Sequence, residues 1–460
     1  MTGAPGPAAS LPPRPEDGPP HRATTTFGSL RIRNYRLFAA GQAVSHTGTW
    51  MQRIAQDWLV VELTGSPAAV GFTIGLQYAP MLLLGLHGGL IADRLPMRRL
   101  LLHTQAALGT TGLVLAVLVL SGQVRPWHVY VMAAVLGLVS VADAPARQAF
   151  VSELVGPGQL RNAVSLNSAV FQTARLVGPA VAGLVITVVG IGWAFLLNAV
   201  SYLAPLVALL LMRPAEMHPA ERAPHGSGQV RATLRQVRRD PGLLWPIVLV
   251  AFVGTFGFNF PVWLTTFTVQ VFRTGSGVYG LLNSLLAAGA VAGALWAARS
   301  LAPPRRVLTT AALLFGALET AAALAPALWL FAALLVPVGM AGLVVTATAN
   351  AHVQLTADAA TRGRVMSLFK IAFVGGTPVA APAVGWITET WGPRAGFLTG
   401  GLTSLAAAGV VGCALSRPAA EPEPDPPTGT ASGTVPERGT GTELGTGTKR
   451  DGDADPAAQT

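Results

Sequence analysis

Apolar stretches of about twenty residues recur along the chain from Leu37 to Leu415, and short polar turns separate them. An α-helix needs about twenty consecutive apolar residues to cross the hydrocarbon core of a bilayer. The pattern therefore predicts an all-α membrane protein with about twelve transmembrane helices. We place these helices at about 36–62, 68–93, 98–121, 127–149, 162–188, 192–212, 243–269, 277–299, 306–325, 327–350, 364–388 and 393–415.

The predicted spans form two sets of six, which we expect to pack as two pseudo-symmetric six-helix bundles. Thr64-Gly65-Ser66 and Thr274-Gly275-Ser276 each precede a helix of small residues, and the segment 154–166 resembles 355–368. Duplicated bundles of this kind enclose a substrate path between them. We expect the first, fourth, fifth, seventh, eighth, tenth and eleventh spans to line it. The expected units are a disordered cytoplasmic tail at 1–34, a bundle at 35–212, a basic cytoplasmic linker at 213–241, a bundle at 242–416 and a disordered cytoplasmic tail at 417–460.

Composition and charge agree with a membrane protein. Of the 460 residues, 51% are apolar and 11% are charged, whereas soluble domains carry roughly a quarter charged residues. The formal charge of +10 does not indicate nucleic-acid binding, because the arginines outside the helices follow the predicted topology and only Arg125, Arg273 and Arg394 lie on the outer side. The positive-inside rule then predicts a multi-pass protein of the inner (cell) membrane with both termini cytoplasmic.

Catalytic and cofactor-binding motifs are missing from the sequence. It contains no HExxH, no GxSxG and no phosphate-binding loop ending in GKS or GKT. Its single cysteine, Cys413, excludes an intrachain disulfide and a metal site built from cysteines. We predict no catalytic residue, no metal, no cofactor and no enzymatic activity. Because the sequence has no phosphate-binding loop for ATP, the energy for moving a substrate across the membrane would come from an ion gradient.

Polar residues on the first predicted span share one helical face. Gln42, His46, Thr49, Arg53 and Asp57 are spaced by four, three, four and four residues, which places them on one side of a helix. Polar groups gathered in this way indicate a water-filled cavity. Arg53 and Asp57 are also four residues apart and can pair within the helix. The alternative is a structural pair near the outer interface.

The fifth predicted span carries a similar polar face that includes Gln172 and Arg175. Ionisable groups inside a bilayer are costly and are functional candidates. Arg175 is therefore a candidate partner of an anion, or a proton-relay partner of Asp57 or Glu319, across the cavity. The alternative is an arginine satisfied by backbone carbonyls. Glu319, a lone carboxyl group among small residues of the ninth span, is a candidate proton carrier, or a peripheral residue that reaches water.

The turn between the second and third spans, GLIADRLPMRRLLL at 89–102, resembles the signature loop of the major facilitator superfamily (MFS). Gly89, Ala92, Asp93, Arg94 and Arg98 match that signature, whereas Pro96 and Met97 depart from it. Four further stretches look like the drug:proton antiporter branch that includes macrolide and enterobactin exporters. They are GTWMQRIAQDWLVVELTGS at 48–66, PARQAFVSELV at 145–155, ARLVGPAVAG at 174–183 and RGRVMSLF at 362–369.

The resemblance implies the MFS fold and assigns expected roles to several residues. Ion pairs near the cytoplasmic ends of the helices would open and close the inner side, a bistable contact. This gating set comprises Gly89, Asp93, Arg94, Arg98, Asp143, Arg147, Glu153, Arg161, Arg362 and Arg364. Gly178, Pro179 and Gly183 resemble the fifth-helix motif associated with export, where small residues permit close packing.

The function that we predict is secondary active transport by alternating access, with proton-coupled efflux of amphipathic small molecules of the drug or natural-product/siderophore type. The expected partners are the small-molecule substrate, protons and membrane lipids, with no nucleic acid, and the expected state is a monomer. Three alternatives stay open at this point. They are a transport-inactive membrane sensor or scaffold, an uptake carrier of the same superfamily, and a membrane-embedded enzyme.

Overall fold

Helices make up the regular structure of the residues that this computed structural model describes, which are 27–218, 229–300, 304–358 and 361–416. After a short 3₁₀ helix at Gly28–Arg31, the first part contains α1 (Arg33–Thr64), α2 (Pro67–Arg94), α3 (Met97–Leu120), α4 (Pro126–Val189), α5 (Ile191–Ser201) and α6 (Leu203–Leu211). The second part contains α7 (Gln229–Arg239), α8 (Pro241–Phe252), α9 (Phe260–Thr266), α10 (Ser276–Arg299), α11 (Pro304–Ala323), α12 (Leu328–Thr356), α13 (Arg362–Val374), α14 (Thr377–Trp391) and α15 (Pro393–Ser416).

Ten helical stretches in the described residues are long and apolar enough to cross a membrane. The 64-residue α4 is about 96 Å long at 1.5 Å per residue, which is three times the thickness of a hydrocarbon core. It therefore has the length for two crossings. Because α1 carries Arg53, Asp57 and Glu62, it is more polar than the other spans. The count of twelve, which needs α1 and a second crossing in α4, stays a prediction.

Helix α4 differs from the prediction, which placed separate helices at 127–149 and 162–188 with a loop between them. The connection is itself helical, and the chain changes direction at Gly156, where φ is 64° and ψ is 177°. This backbone conformation is essentially restricted to glycine. Pro157 follows at once, and its missing N–H removes one bond of the helical ladder. Gly156 and Pro157 therefore produce a kink between two helical segments, where the prediction had a loop.

Gly156→Ala is expected to destabilise the protein by about 1–3 kcal/mol, because alanine must adopt the strained backbone conformation that glycine has there. Gly158 is the matched control, since it lies two residues along the same helix and has open space around its α-carbon. Gly158→Ala should be neutral or stabilising by up to about 1 kcal/mol. Thermal unfolding of the purified variants in detergent tests the contrast, and equal effects of the two substitutions would refute it.

Two predicted spans are interrupted in the structure. In the stretch Pro241–Val271, π-helical turns at Val253–Gly257 and Phe267–Val271 flank α9. In the stretch Arg362–Trp391, the break falls at Gly375 and Gly376 between α13 and α14. Irregular backbone at membrane depth is tolerated where it lines a cavity or is buried in protein. The interruptions therefore indicate where a cavity lies.

The segments expected to be tail and linker are partly folded. Ser29 is fully buried, and its backbone N–H donates to Oδ1 of Asn162 at 3.0 Å, so folded structure begins before residue 34. The predicted linker 213–241 contains α7, and the Asn34 side chain joins the start of α1 to the backbone of Arg213. Residues 1–26, 219–228 and 417–460, which include most of both predicted tails, lie outside the described residues.

The two predicted halves pack against each other along two seams, in which α2 contacts α14 and α4 contacts α10. Small residues allow the helices of the second seam to approach closely. A Cβ atom added at Gly280 of α10 would lie 2.8 Å from the Cα of Gly183. A Cβ at Gly178 would lie 3.1 Å from the carbonyl oxygen of Thr47 in α1. The predicted packing residues of α4 therefore lie at its contacts with α1 and α10.

Candidate functional site

A cavity of about 540 Å³ lies between the two predicted halves. Residues of α1, α2 and the second part of α4 form one side. The other side comes from the interrupted stretch around α9, from α10, α11 and α12, and from the junction of α13 and α14. The sequence predicted most of these spans as lining. It left out the second and ninth spans, and it included the fourth, which supplies none of the lining residues.

The cavity is amphipathic, with several phenylalanine rings among the apolar residues of the side formed by the second predicted half. Phe258 stacks on Phe315 with ring centroids 5.4 Å apart, and Phe373 meets Phe258 edge-on at 5.5 Å. The opposite wall carries the polar and charged groups Arg53, Asp57, Gln77, Tyr78 and Arg175. Aromatic surface with a few convergent polar groups is typical of small-molecule binding sites.

Asp57 connects the two halves at the cavity. The hydroxyl group of Tyr279, on α10, donates a hydrogen bond to Oδ2 of Asp57 at 3.1 Å. Both side chains are buried, and the next residue of α1, Trp58, stacks on the Tyr279 ring with centroids 5.9 Å apart. The ion pair that the sequence suggested between Arg53 and Asp57 is absent from the described residues. Asp57 instead has its partner in the other half of the molecule.

Arg53 and Arg175 converge on one aromatic ring. Their guanidinium carbons lie 4.9 Å and 5.6 Å from the centre of the Trp50 ring, within the range of cation–π contacts. Neither arginine forms an ion pair with a described residue. The predicted pairing of Arg175 with Asp57 or Glu319 is therefore not formed. Gln172, one turn before Arg175, is half-buried and is not a lining residue.

Gln42 and His46 belong to a second polar cluster beside the cavity. Nη1 of Arg147 donates to Oε1 of Gln42 at 3.0 Å and lies 3.1 Å from Nε2 of His46. Nη2 of Arg147 pairs with Asp143, which also accepts hydrogen bonds from Thr104 at 2.7 Å and Gln105 at 2.8 Å. Gln42 and His46 were expected at the cavity, but they do not line it. They instead bind Arg147, one of the residues expected to act in gating.

One aromatic residue separates this cluster from the cavity. Phe171 lines the cavity, and its ring meets that of His46 edge-on at 5.4 Å and that of Trp50 at 5.8 Å. Side-chain contacts therefore run without a break from Arg147 through His46 and Phe171 to the cavity.

Glu319 is fully buried on α11, outside the cavity. The Ser404 hydroxyl donates to its Oε2 at 3.3 Å, and Oε1 has no hydrogen-bond partner among the described residues. Phe315, one turn earlier on α11, supplies a wall of the cavity. Glu319 therefore lies one turn from the cavity but is not one of its lining residues.

The other expected gating residues occupy separate positions. Arg98 donates to the carbonyl oxygens of Leu209 and Leu210 at the end of α6. Arg362 donates to the carbonyl of Ala357 at 3.5 Å, and Arg161 is exposed. The backbone carbonyl of Glu153 accepts from His218, and the backbone N–H of Arg364 donates to Thr361. Gly89, Asp93 and Arg94 lie in the helical end of α2, but their side chains lie outside the described residues.

Sequence reasoning missed Trp50 and Tyr279. Trp50 is three residues from Arg53 and shares its helical face, so the periodicity of α1 contained a signal for it. Tyr279 follows the repeated Thr-Gly-Ser motif, but nothing local pairs it with a residue 222 positions away.

The comparison with known families agrees with this architecture. A family model described as transmembrane secretion effector matches residues 24–431. The chain belongs to the transmembrane secretion effector family. It is an MFS transporter and a multi-pass membrane protein, which confirms the predicted resemblance, the fold class and the expectation of a transporter in place of an enzyme.

Relatives of this family member include a transporter and an efflux pump. It is 26% identical over 258 residues to the staphyloferrin A transporter of Staphylococcus aureus (strain NCTC 8325 / PS 47), a match that covers 56% of this chain and 64% of the relative. It is 27% identical over 396 residues to the multidrug efflux pump Tap of Mycolicibacterium fortuitum, covering 83% of this chain and 95% of the relative.

The fold of this family member is similar to that of a solved transporter. A bacterial homolog of the human lysosomal transporter Spinster, in an inward-facing and unoccupied conformation, aligns with a TM-score of 0.64 and 14% sequence identity. The alignment covers 83% of this chain and 95% of that chain. The likeness extends over nearly the whole of the Spinster homolog and establishes the MFS fold.

Proposed function

We propose that this transporter exports amphipathic small molecules, of the drug or natural-product/siderophore type, in exchange for protons. It would act as a monomer in the inner membrane, with both termini in the cytoplasm and lipid around its helices. The observation that carries the proposal is the hydrogen bond from Tyr279 to Asp57, which joins the two halves at the wall of an amphipathic cavity.

Contacts between the halves gather at one end of the cavity. The backbone N–H of Ala68 and the hydroxyl of Ser66, at the start of α2, donate to Glu389 near the end of α14. Thr187 and Ser276 lie within hydrogen-bond distance of each other across the α4–α10 seam, at 3.3 Å. With a cytoplasmic N-terminus, this is the outer end. The cavity would then be closed to the outside and loaded from the cytoplasm.

Asp57 is the proposed proton carrier because protonation changes what it can do at this contact. An ionised carboxylate only accepts hydrogen bonds, whereas the protonated group also donates one. Proton binding from the outside would therefore alter the link to Tyr279 and with it the balance between the closed and open arrangements. The membrane potential supplies about 2.3 kcal/mol per charge per 100 mV for this exchange.

A proton-flux assay in proteoliposomes tests the proposal. Purified protein is reconstituted with an acidic lumen that holds a pH-sensitive dye, and a panel of amphipathic compounds is added outside. Antiport carries the compound in and protons out, so we expect the lumen to become more alkaline only when a substrate is added. Failure of every compound to change the lumenal pH with either orientation of the gradient would refute proton antiport.

Two buried acids provide matched variants for the same assay. Asp57→Asn should abolish substrate-dependent proton flux, because an amide cannot bind and release a proton near neutral pH. Glu319→Gln should retain it, because Glu319 does not line the cavity. The reverse result would assign the proton to Glu319 and remove it from Asp57.

A further inference from the structure

The charged groups of the cavity are unbalanced. Among its described lining residues the acidic and basic side chains are Arg53, Arg175 and Asp57. Asp57 is the single acid of the three, and it already accepts the hydrogen bond from Tyr279. Two guanidinium groups, which remain protonated in proteins, therefore face one carboxyl group. The cavity is suited to a ligand that brings negative charge.

The hydrogen-bond donors of the two cavity arginines are unused. Two other arginines do have acceptors: Arg147 binds Asp143 and Gln42, and Arg98 binds two carbonyl groups of α6. Arg53 and Arg175 donate no hydrogen bond to a described residue, and each is half-buried. A guanidinium carries five N–H donors in a planar fork that matches an oxyanion. Their free donors therefore form a site for such a group.

The two guanidinium groups share one aromatic neighbour, Trp50. Both lie over its ring, at 4.9 Å and 5.6 Å. Trp50 in turn packs against Phe171, and the α-carbon of Gly178 lies directly behind its Cβ. Two like charges near the same half-buried ring repel each other, and the negative charge of a bound anion would offset that repulsion. A role for the arginines in packing alone would account for their contact with Trp50 but not for their unused donors.

We infer that the substrate of this transporter is an amphipathic organic anion. Its oxyanion, a carboxylate or a group of similar shape, binds Arg53 and Arg175, and its apolar body lies against Phe258, Phe315 and Phe373 on the opposite wall. The inference rests on the proposed function and gives that function a substrate class. Amphipathic cations, by contrast, would meet a cavity whose excess charge has their own sign.

Binding of three matched probes tests this inference. 2-Naphthylacetate, 2-naphthylacetamide and 2-(2-naphthyl)ethylamine share one aromatic body and are anionic, neutral and cationic at pH 7. Equilibrium dialysis against purified protein in lipid nanodiscs measures their binding, and empty nanodiscs of the same lipid correct for partitioning. We expect the carboxylate to bind roughly tenfold or more tightly than the amide, because hydrogen bonds to charged groups contribute that much.

Variants connect the preference to the two arginines. Arg175→Gln and Arg53→Gln should each remove most of the preference for the carboxylate while leaving amide binding unchanged. Arg175→Lys should retain part of it, since the charge remains and the planar fork is lost. Arg299→Gln is the control, because Arg299 is exposed at the end of α10, away from the cavity. Thermal unfolding of each variant shows whether it is folded.

The outcomes separate this inference from the proposed function. Equal binding of the three probes, tighter binding of the amine, no binding of the carboxylate, or a preference that survives both glutamine substitutions would overturn the anion site. Proton-coupled movement of cationic compounds in proteoliposomes, insensitive to Arg53 and Arg175, would preserve the transport proposal and reject the anion. Arginine-dependent binding of the carboxylate without any transport would support the anion site and reject the transport proposal.

Discussion

Arg147→Met is expected to lower the free energy of unfolding by about 3–5 kcal/mol, the usual cost of leaving one partner of a buried ion pair alone. The substitution leaves the buried carboxylate of Asp143 with Thr104 and Gln105 as its hydrogen-bond donors and without a cation. It also removes the donor that binds Gln42. Unfolding of the purified protein by denaturant in mixed micelles measures the loss.

Two further variants make this prediction specific to the buried pair. The double variant Asp143→Leu with Arg147→Met should recover at least half of the loss, because replacing both charges removes the uncompensated one. Arg213→Met breaks an exposed ion pair, in which the side chain of Arg213 is 64% exposed and that of Glu216 is 42% exposed. It should lower the free energy of unfolding by less than about 1 kcal/mol. If the losses of stability from Arg147→Met alone and Asp143→Leu alone simply add up in the double variant, the two charges are not coupled and the prediction is wrong.

The residues of this cluster illustrate what the sequence can predict. Helical periodicity placed Gln42, His46, Arg53 and Asp57 on one face of α1, and that face is buried or half-buried in the structure. The periodicity could not divide the face between two environments. Gln42 and His46 bind Arg147, whereas Arg53 and Asp57 line the cavity. The division depends on which residue of α4 lies opposite, and that is a long-range property.

The interruptions of the helices were predictable only in part. The Gly-Pro sequence at Gly156 and Pro157, where the chain changes direction within α4, was not used as a signal in the prediction. Whether such a sequence gives a loop or a kink depends on hydrogen bonds formed by the flanking turns, which composition does not determine. The position of Glu319 has a similar cause. Its burial follows from its apolar neighbours, but its separation from the cavity depends on the packing of Phe315.

The close packing of helices at the seams was easier to predict. A glycine permits close approach whatever residue lies opposite it, so the partner need not be known. Gly178 and Gly183 were expected to permit close packing, and they lie at the contacts of α4 with α1 and α10. The partner glycine on α10, Gly280, could not be identified from the sequence alone. Its position opposite Gly183 makes the α4–α10 seam a place where a single methyl group has a large effect.

Gly280→Ala is expected to lower the transport rate roughly five- to hundredfold. The added Cβ would lie 2.5 Å from the carbonyl oxygen of Pro179 and 2.8 Å from the Cα of Gly183, and backbone atoms cannot move aside as a flexible side chain does. Overpacking of this kind costs about 1–3 kcal/mol. If the seam must close in each transport cycle, that cost lowers the population of the closed arrangement about five- to hundredfold.

Gly409→Ala is the matched control, because Gly409 lies within α15 and has no neighbouring atom within 4 Å of an added Cβ. It should transport like the wild type.

A cysteine introduced by Ser284→Cys, on the α4–α10 seam, reports whether the seam is open or closed after Cys413→Ser removes the native thiol. A membrane-impermeant thiol reagent added outside should label it faster when Gly280→Ala is also present. Unchanged transport together with unchanged labelling would mean that the seam does not have to close, and alternating access would then need a different moving contact.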